Sequence, residues 1–208
     1  MSQYFEIHPE TPQPRLIQQA VKIIREGGVV VYPTDSTYAL GCAMGEKQAL
    51  ERIRLIRRLG NKHNFTLACR DLSEIGTYAR IENTAYRLLK AFTPGPYTFV
   101  LRATGEVPRR LQHPKRKTIG IRVPDHPVAR ALLEALGEPL MSTSLLLPEQ
   151  DDMPYTDPQD IREAIGKQVD LIIDAGPCGM EPSTVVDLYD GVPEVLRRGK
   201  GDASVFET

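Results

Sequence analysis

Tryptophan is absent and aromatic residues make up only 6% of the 208 positions, so the sequence does not describe a surface that reads nucleic acid by stacking bases on rings. Cysteine is equally sparse. Cys42, Cys69 and Cys178 are odd in number and far apart, with no CxxC, which excludes a disulfide framework and a zinc ribbon and fits reduced thiols. The four histidines (His8, His63, His113, His126) have no metal-ligand spacing, and no resident metal is expected. No apolar run approaches the ~18 residues of a membrane span. The opening MSQYFEIHPE lacks the basic start and apolar core of a signal peptide, so the cytoplasm is the expected location. Also missing are GxxxxGK[ST], a GxGxxG after a strand, GxSxG and HExxH, which removes the P-loop, dinucleotide, serine-hydrolase and zincin readings.

Net charge is nearly absent too, at −1, but that value hides a separation. Residues 1–132 carry 21 Lys and Arg against 11 Asp and Glu; residues 133–190 carry 2 against 13. A basic face attracts anions such as nucleotides or RNA, and two differing solvated faces give the same count. Arg52, Arg54, Arg57 and Arg58 crowd one predicted helix, and Arg109, Arg110, Lys115, Arg116 and Lys117 add a second basic group.

What is present is an alternation of helical and strand patterns. Apolar residues at helical spacing predict helices over 14–26, 46–59, 83–92 and 127–136, with a polar surface helix at 157–165. Apolar or alternating runs predict strands at 28–32, 65–69, 97–102, 118–123, 140–143, 169–174, 184–188 and 195–197. Strands follow strands near the end, so the expected fold is α/β with a mixed sheet covered by helices. No composition break divides the chain, so residues 1–208 are expected to form one domain; 149–158 reads as a long exposed loop.

The chemistry sits at strand ends. Pro33-Thr34-Asp35-Ser36, Thr93-Pro94-Gly95-Pro96, Arg122-Val123-Pro124, Ser142-Thr143-Ser144, Ser183-Thr184 and Arg197-Arg198-Gly199 each begin or end an apolar strand. Hydroxyls and arginines so placed suit carboxylate and phosphate oxygens, although Ser, Thr and Pro also form ordinary turns. Cys42 and Cys69 read as small buried hydrophobes; His63 lies in a basic loop where it could touch a ligand, and reads first as a solvated loop histidine.

Five ordered segments, GGVVVYPTDSTYALGC, TPGPYTFVL, IGIRVPDHP, PLMSTS and PSTVVDL, resemble the YrdC-like family, and within it the YciO branch. The resemblance spans nearly the whole chain. It implies a twisted mixed sheet flanked by helices with a basic concave cavity. It also implies synthesis of threonylcarbamoyl-AMP from L-threonine, bicarbonate and ATP, with Mg²⁺ accompanying ATP, for the t6A modification of tRNA. Carried over residue by residue, Thr34, Arg122 and Ser183 would bind threonine. Ser144 and Arg197 would face the nucleotide, with Arg57, Arg58 and Lys62 as the available phosphate cations and Arg57 the catalytic one. Two positions depart from the family pattern. A Lys-x-Arg at the end of the second helix reads Arg57-Arg58-Leu59, and a Ser-Ala-Asn reads Ser144-Leu145-Leu146. The expectation is therefore a weak synthase. The alternatives are a paralogue that binds nucleotide, tRNA or double-stranded RNA without catalysis, and an enzyme of this fold with a changed acyl substrate.

Overall fold

The structure is a computed structural model that describes residues 1–60, 62–151 and 153–207. In chain order the elements are β1 (Gln3–Glu6), α1 (Pro14–Arg25), β2 (Val30–Tyr32), β3 (Ala39–Ala43), α2 (Lys47–Arg57), β4 (Thr66–Ala68), α3 (Leu72–Tyr78), α4 (Asn83–Phe92) and β5 (Tyr97–Arg102). There follow β6 (Thr118–Arg122), α5 (Pro127–Leu136), β7 (Leu140–Ser144), α6 (Pro158–Ile165), β8 (Leu171–Asp174), β9 (Thr184–Asp187) and β10 (Glu194–Arg197). Three predicted elements, α4, β5 and α5, have the bounds expected. β1, β3 and α3 were not anticipated. The predicted surface helix at 157–165 is amphipathic instead, and buries Ile161 and Ile165. Within the expected loop, Pro148–Gln150 form a 3₁₀ turn and Leu146 bridges to Pro154.

All ten strands join one sheet in the order β1-β8-β2-β3-β7-β4-β6-β5-β9-β10. The sheet is mixed: β8 runs parallel to β1 and β2, β4 to β6, and β5 to β9, while the other neighbours are antiparallel. The pleat sends alternate side chains to opposite faces. Val30, Tyr32, Leu171 and Ile173 meet Ile17, Val21 and Ile24 of α1 and Val128, Leu132 and Leu136 of α5 on one face. Val31, Leu40, Met141 and Ile172 turn the other way, toward Leu50 and Ile53 of α2, Ile75 of α3, Leu89 of α4 and Ile161 of α6. Burying each such aliphatic side chain contributes roughly 1.5–3 kcal/mol, so both layers are firmly held.

The face shared with α1 and α5 changes character toward the other half of the sheet. Following the register from β3 to β9, its residues are Ala39, Ser144, Ser142, Thr66, Gly120, Val100, Thr98 and Val185. Small and hydroxyl-bearing side chains replace the aliphatic ones. No helix among the described residues seals this half of the face, and a cavity lies there.

The opposed charges found along the sequence fold back on one another. Arg52 pairs with Asp170 at 2.6 Å, Arg58 with Glu149 at 2.6 Å and Arg116 with Asp187 at 2.7 Å. Asp187 is buried. Three acids of the 133–190 stretch thus pair with arginines of the basic stretch, while most of the others are exposed and none of those described lines the cavity.

Candidate active site

The cavity measures about 360 Å³, within the usual range for small-molecule sites. Its floor is the sheet. Gly120 is required there, since a Cβ would stand 2.7 Å from Thr66 Oγ1 and 3.1 Å from the Phe65 carbonyl oxygen. Thr37, Thr98, Ser142, Ser144 and Ser183 supply hydroxyls, and Arg57, Lys62, Arg122 and Arg197 supply charge. None of the described residues lining it is an aspartate or glutamate.

Most of these polar groups are fixed by neighbours. Tyr32 Oη and Ser142 Oγ are 2.5 Å apart, and burial pushes the Tyr32 phenol up from its ordinary value. Thr98 Oγ1 and Ser183 Oγ are 2.7 Å apart across β5 and the start of β9. Arg197 Nε and Nη2 donate to the Ser183 carbonyl at 3.1 and 2.8 Å, and Nη2 also reaches Ser183 Oγ at 3.3 Å. Burial first, and then the neighbouring Arg122, lowers the Arg197 pKa. Arg122 donates to the Asp35 carboxylate, with both side chains almost wholly buried. Asp35 Oδ2 and Arg122 Nε are buried with no hydrogen-bond partner among the described residues.

The opposite wall comes from the end of α2 and from β7. Arg57 Nη1 donates to Thr143 Oγ1 at 2.5 Å and Arg57 Nε to the Leu146 carbonyl at 3.0 Å. His63 stands beside them, its Nε2 3.5 Å from Thr143 Oγ1 and its ring edge-on to Phe65 at 5.1 Å. Of the two readings its basic loop allows, a solvated histidine or a ligand contact, the structure favours the second: His63 is half-buried and lines the cavity. Desolvation, then Arg57, Arg54 and Arg197, push its pKa down to about 4, so the ring is neutral at pH 7.

The structure thus brings Arg57, Lys62, Arg122, Ser144, Ser183 and Arg197 to one cavity and leaves out Thr34 and Arg58. Thr34 is buried inside its own turn, where Oγ1 donates to the Thr37 carbonyl at 2.5 Å and accepts from the Ser36 amide at 3.1 Å. Its hydroxyl is consumed in shaping the turn, and Thr37 reaches the cavity instead. Arg58 caps α2 in the left-handed conformation (φ 52°), which turns its side chain outward to Glu149. The group Arg109, Arg110, Lys115, Arg116 and Lys117 also lies off the cavity walls. Neither Leu59 nor Leu146 lines the cavity; Leu59 packs on the core, and Leu146 offers its carbonyl to Arg57.

Cys42 and Cys69 are buried, and burial pushes the Cys42 thiol up to about 12 and Cys69 well above its ordinary value. Neither has the character of a nucleophile. No helix among the described residues is long and apolar enough to cross a membrane.

A mixed α/β sheet carries on one face a basic, hydroxyl-lined cavity of small-molecule size. Comparison with known proteins gives that architecture its family. Residues 22–199 match the Sua5/YciO/YrdC family model, which carries the description "Telomere recombination", and the chain belongs to that family. It is 59% identical to the YciO protein of Escherichia coli K12 over 99% of this chain and 100% of that one. The crystal structure of E. coli YciO superposes with a TM-score of 0.96 over the same shares. A threonylcarbamoyl-AMP synthase of Vibrio vulnificus YJ016 is 31% identical over 88% of this chain and 98% of its own. The Sua5 protein of P. abyssi, crystallised with L-threonine, matches with a TM-score of 0.86 and 28% identity over 95% of this chain and 58% of that one.

Proposed function

We propose that this cavity binds L-threonine, bicarbonate and ATP and joins them, slowly, into threonylcarbamoyl-AMP. The observation that carries this reading is that Arg57, Lys62, Arg122 and Arg197 converge on one cavity whose described lining holds no carboxylate. Such a cavity favours ligands with several negative charges. The synthases at about 31% identity and the threonine complex of Sua5 supply the chemistry.

In this reading Arg122 and Ser183 hold the amino acid by its carboxylate. The threonine amine, carboxylated by bicarbonate with loss of water, becomes a carbamate. A carbamate oxygen attacks the α-phosphorus and pyrophosphate leaves. Arg57, Lys62, Ser144 and Arg197 face the phosphates, and Arg57 and Arg197 stabilise the charge that builds on the phosphoryl oxygens. The described residues contain no group of three or more His, Cys, Asp or Glu able to hold a metal. In this reading Mg²⁺ enters with ATP, as part of the substrate.

The rate is low in this reading because the leucines at 59 and 146 lie off the lining and bring to it neither the cation nor the amide expected there, and one fixed donor at a charge-developing centre is worth about 100–1000-fold. Incubation of the purified chain with ATP, Mg²⁺, bicarbonate and labelled L-threonine, followed by chromatography, tests this. The expected result is threonylcarbamoyl-AMP formed well below the ~1–10³ s⁻¹ of ordinary enzymes. No labelled adenylate after many hours, with ATP bound all the same, would make the cavity a binding site without this chemistry.

A further inference from the structure

We infer that His63 is a phosphate ligand of this cavity that becomes a cation when a polyphosphate is bound, supplying on the α2 side the charge that Leu59 does not. The inference rests on the reading that the cavity takes ATP.

The geometry comes first. His63 lines the cavity on the same wall as Arg57, Lys62 and Ser144. Its ring is held from two sides, by the edge of Phe65 and by Thr143. Thr143 Oγ1 already accepts from Arg57 Nη1, so its own hydrogen is left to point at His63 Nε2, a long contact at 3.5 Å. Arg57, Thr143 and His63 form a row along the wall where phosphate oxygens would lie.

Charge decides the protonation state. The charged groups acting on the ring are Arg57 and Arg54 from α2 and Arg197 from β10, all cations. Lys62 adds a fourth positive group on the same lining. The acids on these elements are Glu51, which pairs with Arg54 at 3.6 Å and is largely exposed, and the exposed Glu194 at the start of β10; neither is among the groups acting on the ring. Desolvation and these cations hold the ring neutral down to about pH 4. A bound polyphosphate reverses the balance. Its negative charges offset the arginines, and at hydrogen-bond range each acts on the ring with a strength of roughly a few pKa units. The imidazole then gains a proton and donates from both nitrogens. By linkage, a ligand that raises a pKa binds more tightly as pH falls toward that pKa.

The test is a pH titration of the histidine ring signals by NMR in the full chain, without and with saturating ATP, with His63→Gln used to assign the His63 resonance. ATP affinity is measured alongside at pH 5.5 and pH 7.5 for both proteins, so that titration of ATP itself cancels in the comparison. The inference predicts that ATP raises the His63 midpoint by about two pH units or more. It also predicts that the wild-type chain gains several-fold more affinity on acidification than His63→Gln. ATP binding with an unmoved His63 midpoint and the same pH dependence in both proteins would overturn it and leave the cavity reading intact. No ATP binding to the wild-type chain would overturn the cavity reading, and this inference with it.

Discussion

Arg122 and Arg197 line the same cavity but sit in opposite electrostatic settings. Arg122, at the end of β6, meets a carboxylate, Asp35, in a pair about 90% buried. Arg197, at the end of β10, meets the carbonyl and hydroxyl of Ser183 and no carboxylate among the described residues. The first arginine brings direction with its charge already offset. The second brings a net positive charge to the cavity. A buried ion pair does little for stability while intact and is expensive to split, whereas hydrogen bonds to neutral acceptors each contribute little. The two arginines should therefore respond very differently to substitution.

The largest effect is expected at the carboxylate. Asp35→Ala strands the Arg122 charge in a buried place and should cost about 3–5 kcal/mol in denaturant unfolding. The double variant Asp35→Leu with Arg122→Met should recover most of that loss. A loss under about 1 kcal/mol for Asp35→Ala would mean the pair is not closed in solution.

Next comes the strap that gives Arg197 its acceptor. A Cβ on Gly199 would lie 2.1 Å from the Pro182 carbonyl oxygen and 2.7 Å from the Ser183 carbonyl carbon, both backbone. Gly199→Ala should cost roughly 1–3 kcal/mol and displace Ser183 from Arg197, weakening ATP binding as well. Gly45→Ala, where nothing lies within 4 Å, serves as the control and should change neither quantity measurably.

Arg197→Gln should leave stability within about 1 kcal/mol of wild type. Its cost should fall on ligand affinity, with ATP binding about tenfold weaker and less sensitive to salt. Equal losses of stability for Arg197→Gln and Asp35→Ala would erase the distinction between the two arginines. The smallest effect belongs to Ser183→Ala. It removes the hydroxyl shared by Thr98 and Arg197 but keeps the carbonyl, so a stability change of about 0.5–1.5 kcal/mol is expected.

The elements with clear punctuation were legible in the sequence. Pro127 opens α5 and Gly137 closes it in the left-handed conformation, so its bounds could be read directly. The apolar alternation of β5 was equally plain. β3 was hidden because Ala-Leu-Gly-Cys-Ala is poor strand material, and its pairing with β2 and β7 makes it one. β1 is four residues long and is fixed by a partner about 170 positions away. α3 did carry a signal, Asp71 three positions before Glu74, with the Asp71 side chain accepting from the Glu74 amide. At the cavity, hydroxyls at strand ends correctly marked a cluster, but which hydroxyl faces inward depends on turn geometry. Thr34 and Thr37 are equivalent in composition, and only the fold separates them. The period-2 sets Thr98 and Val100, Gly120 and Arg122, and Ser142 and Ser144 are the sequence trace of the cavity floor. For His63 the basic loop was the one signal in the sequence, since Thr143 on β7 and Arg197 on β10 are remote in the chain.

The most direct test is a calorimetric titration of ATP with Mg²⁺ into the wild-type chain and Arg197→Gln, at low and high salt. The account predicts one ATP per chain, affinity that falls as salt rises, and a clear loss in the variant. Binding that is insensitive to salt and identical in the two proteins would contradict it, because the nucleotide would then lie outside the cavity.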